Sequence, residues 1–350
     1  MPPEFAGAAH TFWVSTCWWF PNRRKEFIMP AILASRVSNP AGKKSLFQRI
    51  KKDLSRNYIL YLLIVPGFLN LLFFKIGPVG AMVIAFQDYS AALGILGSHW
   101  VGVDNFVRIF HDPYMITLVE NTIILAILSI VIIFPIPIIF SLFLNEVRAK
   151  WVRGTAQSLS LLPYFISAAV MVSIAYTILS PGGGIVNNLI NNFGGQSVNF
   201  MAKPEWFRPI YVILDIWQNT GYSAIIYIAA IMNIDPALYE AAEVDGATRW
   251  GKMMNITLPG ISTSIVVMLI ISVGNIFTVN LDRILLMYNP SVYSTADVIQ
   301  SYVYRIAFQS KGFPDYSYGT AVNIIKSVIA FILVVSVNKL ASKYADSKLF

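Results

Sequence analysis

Side chains that commonly carry out chemistry are scarce in this sequence. His10, His99 and His111 lie in three unrelated segments, and Cys17 is the one cysteine among 350 residues. A metal site needs several converging ligands, and one cysteine cannot form a disulfide framework within the chain. The sequence therefore predicts no metal site and no internal disulfide.

Phosphate and acyl-transfer chemistry are not indicated either. A nucleotide-binding loop requires the pattern Gly-x-x-x-x-Gly-Lys-Ser/Thr, and the glycine run at 182–184 has no lysine after it. No Ser-His-Asp or Cys-His set is recognisable. We therefore expect this chain to carry no enzymatic activity and no cofactor.

Polar residues inside long apolar stretches offer a different chemistry, hydrogen bonding to a polar solute. Asp215, Asn219 and Tyr222 follow one another at i, i+4 and i+7, which places them on one helical face, and Ser272 and Asn275 share a face of another stretch. Polar side chains within membrane helices mark solute pathways. These five residues are therefore the candidate lining of a path.

The same residues have a second interpretation as contacts that join helices, because Asn and Ser often form hydrogen bonds across membrane helices. For Asn275 both interpretations stay open. A carboxylate in the membrane is costly, so Asp215 requires a function or a polar partner, unless it lies near the outer interface.

The composition places these residues in an all-α membrane protein. Hydrophobic residues make up 56% of the chain and charged residues 13%, whereas soluble domains carry about 25% charged residues. A bilayer is crossed by about 20 apolar residues, and a helix satisfies its own backbone there. Six stretches meet that length: 58–77 with a continuation to 86, 117–144, 158–179, 210–233, 261–280 and 321–340.

The positive charges lie mainly in alternate short loops. The formal net charge is +8, and basic residues cluster before the first stretch, between the second and third, between the fourth and fifth, and after the last. Such loops face the cytoplasm. The distribution predicts that both termini are cytoplasmic, and it explains the basic balance without nucleic acid.

Local signals refine the segments between and within the spans. We expect Pro135 and Pro137 to kink the second span, and the Asn-rich stretch 185–192 to form a short helix. Residues 297–308 have an amphipathic pattern, with Thr295 as the expected helix cap.

The segment 235–259, between the fourth and fifth spans, has the strongest local signals. Asp235 is a good helix cap and Pro236 a good first residue, and they predict a short helix through Val244. Asp245 and Gly246 then end it, because glycine adopts left-handed geometry at little cost. A second short helix is expected from Ala247 to about residue 255.

This segment resembles the cytoplasmic EAA signature of ABC importer permeases. The pattern is Glu-Ala-Ala, three residues, Gly, nine residues, Ile, any residue and Leu-Pro, and it fits here without a gap. The matching residues are Glu240, Ala241, Ala242, Gly246, Ile256, Leu258 and Pro259, with Asp245 beside the glycine.

The resemblance implies a type I ABC importer permease fold whose EAA loop is a coupling helix. Such a helix docks on an ATP-binding subunit, so that ATP and magnesium are bound by partners and not by this chain. In related sugar permeases, sugar contacts come from positions that match Asn219, Tyr222, Ser272 and Asn275. Further segments are similar to permeases for oligosaccharides from polysaccharide breakdown: 85–89, 100–106, 121–122 and 297–305.

The expected assembly contains a second permease, expected to be a different chain, two ATP-binding subunits and an extracytoplasmic solute-binding protein, in the cytoplasmic membrane of a bacterium. The expected organisation is a cytoplasmic segment 1–56, a permease domain 57–342 with the coupling loop 235–259, and a tail 343–350. Residues 1–28 fall outside the resemblance, and we expect Met29 to be the initiator, with an interfacial anchor as the alternative.

Two other functions remain open at this stage. A secondary, ion-coupled transporter would show inverted repeats and broken spans. An ABC permease for a non-sugar solute would share the coupling loop but not the weaker sugar-branch segments.

Overall fold

The computed structural model describes residues 54–275, 277, 280–309 and 314–344. The expectations for residues 1–53, including the start at Met29, and for residues 345–350 lie outside this part of the chain. Two compact units are distinguished, 1–71 and 72–350. Of the first unit, the described part is mainly helix α1 (Tyr58–Leu71), which is apolar on all sides and contains Pro66.

The second unit begins with continuous helical geometry that ends in a small hairpin. A π-helical turn (Leu72–Ile76) leads into α2 (Gly77–Gly80) and a 3-10 segment (Ala81–Phe86). Strands β1 (Gln87–Asp88) and β2 (His99–Trp100) then pair antiparallel, with α3 (Gly94–Gly97) between them and α4 (Asp104–His111) after them.

The second predicted span is one long helical segment with a local irregularity. Helix α5 (Pro113–Leu128) continues through a π-helical turn (Ser129–Ile133) into α6 (Pro135–Glu146). Proline cannot donate to the preceding turn and its ring clashes there. The π-helical turn just before Pro135 accommodates it, and Pro113–Glu146 continues as one helical segment.

The third predicted span is wrong as a single helix. Helix α7 (Lys150–Leu161) runs into a 3-10 turn (Leu162–Phe165), and α8 (Ala168–Leu179) leaves it at an angle of 101°. The helix is interrupted because Ile166 and Ser167, the two residues between the 3-10 turn and α8, have extended backbone geometry. The hydroxyl of Ser167 accepts a hydrogen bond from the Val170 amide and starts α8 afresh.

The fourth span is the central helix of the unit. After α9 (Ile185–Asn192), which confirms the expected short helix, and a 3-10 turn (Phe200–Ala202), α10 extends over 29 residues (Pro204–Met232). It packs against α6 and α7, and the contacts include Gly221, Ala224 and Tyr227 in its second half. Its packing against α7 is backbone to backbone, because a Cβ atom on Gly221 would lie 2.1 Å from the carbonyl oxygen of Ser160.

The fifth predicted span is wrong in its second part. After α11 (Pro236–Val244), a helical run comprises α12 (Arg249–Lys252), a π-helical turn (Met253–Thr257) and α13 (Leu258–Gly260), and α14 follows (Ser262–Gly274). The helix ends where Gly274 and Asn275, poor helix formers, follow one another. Asn280 then caps a separate helix, α15 (Leu281–Met287), by accepting from the Arg283 amide.

In the last part of the unit, the predicted helix cap at Thr295 is wrong. Thr295 lies inside α16 (Tyr293–Ala296), which follows a 3-10 turn (Pro290–Val292), and its hydroxyl donates to the Pro204 carbonyl. Helix α17 (Ile299–Phe308) starts instead where the Ser301 hydroxyl accepts from the Val298 amide. Helix α18 (Tyr316–Tyr344) completes the described chain.

A buried charge network attaches α17 to α5. Asp297 is fully buried, and its carboxylate accepts from Arg305 at 2.6 Å and from the Tyr114 hydroxyl at 2.7 Å. Asn121 donates to the Asp297 carbonyl and accepts from Arg208. Burial acts to lower the pKa of Arg305, but Asp297 raises it above its ordinary value, so the guanidinium stays charged.

The predicted number of spans agrees with the structure. Three segments are long and apolar enough to cross a membrane singly: Tyr58–Phe86, Pro113–Glu146 and Tyr316–Lys339. Three bent helix pairs bring the total to six if each pair counts as one span. The all-α architecture with about six spans is therefore confirmed.

Candidate functional site

A cavity of about 440 Å³ lies between α10, α14 and the π-helical turn that joins α5 to α6. Four of the five residues predicted to line a path meet on its wall, although they come from stretches more than 50 residues apart in sequence: Asp215, Asn219, Ser272 and Asn275. Apolar side chains complete much of the remaining wall. The two helical faces that periodicity identified therefore meet at one cavity.

Tyr222, the fifth predicted residue, does not line this cavity. Its ring stacks on the ring of Tyr164 with 3.9 Å between centroids and an interplanar angle of 5°. The cavity wall passes instead through Ser223 and Tyr227 of α10. Tyr222 is turned toward the bend between α7 and α8, where 47% of it remains exposed.

The partner that Asp215 requires is Arg283, which sequence reasoning placed in a loop. Arg283 is fully buried, and its Nη1 donates to Asp215 Oδ1 at 2.5 Å while its Nη2 donates to Gln218 Oε1. The guanidinium also lies 5.2 Å from the centre of the Tyr211 ring. Asp215 on the cavity wall is therefore paired with a buried cation that does not itself line the cavity.

Two amides that line the cavity use their NH2 groups in hydrogen bonds within the protein. Asn219 Nδ2 donates to Asp215 Oδ1 at 3.1 Å, and Asn275 Nδ2 donates to the Ile271 carbonyl at 3.1 Å. Within the part of the chain that the structure describes, no donor reaches either Oδ1 atom. The cavity therefore offers hydrogen-bond acceptors, which suit the hydroxyl groups of a solute.

The charge cluster behind the cavity also connects breaks in the helices. Gln218 Nε2 donates to the carbonyl of Ile166 in the α7–α8 bend at 2.9 Å. The Tyr211 hydroxyl accepts from the amide of Asn280, which caps α15. Arg283 thus holds α10, the bend and α15 in one arrangement around the cavity.

The predicted loop 235–259 folds as its sequence suggests. The Asp235 carboxylate accepts from the Ala237 amide at 2.9 Å and starts α11. Gly246 has φ of +75°, and the Ala247 amide donates to the Ala242 carbonyl to close the helix end. The second helical run starts at Arg249, two residues later than expected, and the hydroxyl of Thr248 caps it by accepting from the Gly251 amide.

Most of the EAA residues lie on the surface of this loop. Glu240, Ala241, Asp245, Gly246 and Pro259 are exposed, and the remaining three are half-buried: Ala242, Ile256 and Leu258.

The exposed helix is nevertheless firmly attached. The Tyr239 hydroxyl lies 2.9 Å from the hydroxyl of buried Thr257, and the Ile234 side chain occupies the space a Cβ atom on Gly260 would need.

The loop also exposes large apolar side chains that pattern reasoning had not singled out. Val244 is 89% exposed, Trp250 61% and Leu238 53%. Exposed apolar side chains on a rigid helix are typical of a surface that another protein covers. Trp250 was visible in the sequence, but its exposure depends on the fold.

A known protein family and several known proteins are similar to this chain. Residues 133–344 match the family described as "Binding-protein-dependent transport system inner membrane component". The chain is 41% identical over 308 residues to the polygalacturonan/rhamnogalacturonan transport system permease protein YteP of Bacillus subtilis, covering 88% of this chain and 95% of that protein.

Two solved structures are also similar. A chain of a bacterial ABC transporter involved in the import of the acidic polysaccharide alginate is 39% identical, with a TM-score of 0.78 over 85% of this chain and 99% of that one. A chain of an alginate ABC transporter in complex with an alginate pentasaccharide-bound periplasmic protein is 38% identical, with a TM-score of 0.79 over 86% and 100%. This chain therefore belongs to the family of inner membrane components of binding-protein-dependent transport systems.

Proposed function

We propose that this chain is the permease subunit of an ATP-binding-cassette importer and forms half of the translocation path for an oligosaccharide. The observation that carries the proposal is the cavity between membrane helices, lined by Asn219 and Asn275, whose amide oxygens accept no hydrogen bond from the described residues. A sugar offers hydroxyl donors on every ring, and such donors match these acceptors. A cavity of about 440 Å³ is within the size range of small-molecule sites.

The oligosaccharide is proposed to be acidic. The relative YteP is named for polygalacturonan and rhamnogalacturonan, and the similar solved transporter for alginate. Galacturonan and alginate are built from uronic acids, which carry one carboxylate per sugar. Identity of 38–41% over most of the chain supports the same substrate class.

Helix α11 is proposed to couple this chain to ATP hydrolysis in two partner subunits, which bind ATP and magnesium. Its support is the exposed, capped helix with Glu240 and the small residues Ala241 and Ala242 beside apolar Leu238 and Val244. Small residues permit close approach of another backbone, and apolar anchors supply the affinity. Asp245, Gly246, Ile256, Leu258 and Pro259 shape the loop that carries this helix.

The remaining parts of the assembly follow the same proposal. A second, different permease completes the path, and an extracytoplasmic binding protein delivers the sugar, as the similar alginate transporter binds a periplasmic protein. Both termini lie in the cytoplasm, because basic residues cluster in alternate short loops.

Copurification from native membranes without crosslinker tests this proposal. We expect an ATP-binding subunit and a second permease to accompany the chain, and the complex to hydrolyse ATP faster with a binding protein loaded with oligogalacturonate. Recovery of the chain alone, from membranes where it is stable, together with sugar uptake driven by an ion gradient, would establish the secondary-transporter alternative instead.

A further inference from the structure

Lys326 is a charged residue inside the last membrane-spanning helix. It lies in α18, within the apolar segment Tyr316–Lys339. At 1.5 Å per residue, it is about 15 Å along the helix from Tyr316 and about 20 Å from Lys339. A lysine at this depth is costly, and such residues mark solute pathways, face the bundle interior or pair with another charge.

Nothing in the described part of the chain compensates this charge. Arg283 and Arg305 each pair with a carboxylate at 2.5 Å and 2.6 Å. Lys326 is half-buried, and no described oxygen atom accepts a hydrogen bond or forms an ion pair with its ammonium group. An anionic group that stabilises this charge would therefore come from outside the described residues.

The face of α18 that carries Lys326 is directed toward the helix that lines the cavity. Asn323, Lys326, Ala330 and Val334 share this face at i, i+3, i+7 and i+11, and all four are half-buried. A Cβ atom on Gly274, the last residue of α14, would lie 3.3 Å from Val334.

The opposite side of α18 is left exposed by the residues that the structure describes. Ser327, Val328, Ile329, Phe331 and Ile332 are exposed. Lys326 therefore does not belong to that exposed surface.

The position along the helix places Lys326 beyond the end of α14. Val334 is level with Gly274, and Lys326 is eight residues, or about 12 Å, further toward Tyr316. Ser272 and Asn275, at the end of α14, line the cavity. Lys326 is thus on the Tyr316 side of the level at which α14 ends.

The charges of the cavity explain why an acidic solute needs a separate cation. Arg283 lies behind the wall and is neutralised by Asp215, and the amide oxygens of Asn219 and Asn275 are acceptors. Among the described residues, none that lines the cavity offers an unpaired positive charge to a carboxylate placed beside these groups. Hydroxyl groups suit the cavity, whereas carboxylates require a cation nearby.

We propose that Lys326 binds a carboxylate of the transported acidic oligosaccharide, on the Tyr316 side of the cavity. The proposal rests on the proposed function, and it divides recognition into two parts: wall amides bind the hydroxyls, and Lys326 binds the uronate. A carboxylate of the second permease, or a lipid phosphate, is the competing partner.

The test uses the complete transporter with its binding protein in proteoliposomes, with trigalacturonate and its fully methyl-esterified form as the sugars. Lys326→Met removes the charge at similar length, and Lys326→Arg restores it. Lys75→Met is the matched control, because Lys75 is an exposed lysine within another candidate span, Tyr58–Phe86. Each uptake rate is divided by the wild-type rate for the same sugar, so that the preference of the binding protein cancels.

We expect Lys326→Met to reduce uptake of the acid about tenfold or more, with little effect on the ester. Arginine restores most of the activity, and Lys75→Met treats both sugars alike. If the wild-type transporter carries the acid and not its ester, the two Lys326 variants are compared for uptake of the acid. Recovery of uptake in Lys326→Arg supports the proposal, and equal loss in Lys326→Met and Lys326→Arg contradicts it.

Three other results overturn it: equal loss of both sugars in Lys326→Met, loss of neither, or a Lys326→Met complex that no longer assembles, which indicates a partner in the second permease. A lipid phosphate as partner gives loss of neither sugar. Failure of the proposed function is seen separately, as wild-type transporter that carries neither sugar.

Discussion

The buried pair of Asp215 and Arg283 gives the sharpest prediction for stability. Asp215→Asn keeps the volume and one acceptor oxygen but removes the negative charge. Arg283 is fully buried and has one carboxylate partner among the described residues. Removing one member of a buried pair leaves an uncompensated charge, at a cost of about 3–5 kcal/mol.

The contacts that Arg283 keeps in Asp215→Asn determine how far the free energy of unfolding falls. Gln218 still accepts from Arg283, and the Tyr211 ring still lies against the guanidinium. Neither group carries a charge, so they do not replace the carboxylate. We therefore expect most of this cost of about 3–5 kcal/mol to appear as a decrease in the free energy of unfolding of Asp215→Asn.

The double variant Asp215→Asn with Arg283→Met separates charge from packing. Replacing both members of a buried pair with uncharged residues is often close to neutral. We therefore expect the double variant to be more stable than Asp215→Asn alone, with a coupling of about 1–3 kcal/mol.

The assay is unfolding of the purified chain in mixed micelles under reversible conditions, followed by tryptophan fluorescence. Asp282→Asn is the matched control, because Asp282 is an exposed carboxylate on the same helix as Arg283, and we expect it to change stability by less than about 0.5 kcal/mol. Additive effects of the two substitutions, or an Asp215→Asn variant as stable as wild type, would refute the reasoning.

Four further substitutions test other parts of the structure. Gly246→Val forces a β-branched residue to φ of +75°, so we expect transport to fall while Gly246→Asn, which tolerates this geometry, retains it; equal transport in both contradicts the need for positive φ. Glu240→Lys should insert normally but copurify less ATP-binding subunit, and unchanged copurification with normal stimulated ATPase contradicts the docking role. Gly221→Ala places a methyl group 2.1 Å from the Ser160 oxygen and should lower the unfolding temperature, whereas an unchanged temperature means that α7 can move away. Asn275→Leu should reduce sugar uptake while basal ATPase is unaffected, and equal uptake by variant and wild type favours a helix-joining role.

The sequence predicts the parts of the structure that depend on local physics. Apolar stretches of sufficient length identify where membrane helices lie, because few other structures satisfy a backbone in lipid. The caps at Asp235 and the turn at Gly246 follow from the preferences of those residue types. The structure bears out both.

The errors arise where long-range contacts or short irregular segments decide the outcome. Ile166 and Ser167 interrupt the third stretch, and Gly274 with Asn275 ends the fifth, although hydropathy continues through both. Arg283 pairs with a residue 68 positions away. No period in the sequence reveals that contact, and the costly carboxylate of Asp215 was its one signal.

Tyr222 shows the limit of helical periodicity for assigning a path. It shares a face with Asp215, and the face criterion therefore selects it. Helix α10 meets different neighbours along its length, and at Tyr222 the ring of Tyr164 stacks on the tyrosine ring. Residues on one helical face line the same cavity only where the same neighbouring helices extend along that face.

Reconstituted uptake tests the central claim most directly. The chain, its second permease and the ATP-binding subunits are placed in proteoliposomes with the binding protein outside, and entry of labelled trigalacturonate is followed with and without ATP inside. We predict uptake that requires both ATP and the binding protein and that falls in Asn219→Leu, whose cavity lacks one acceptor. Uptake that continues without ATP, or that Asn219→Leu leaves unchanged, would contradict an ATP-driven path through this cavity.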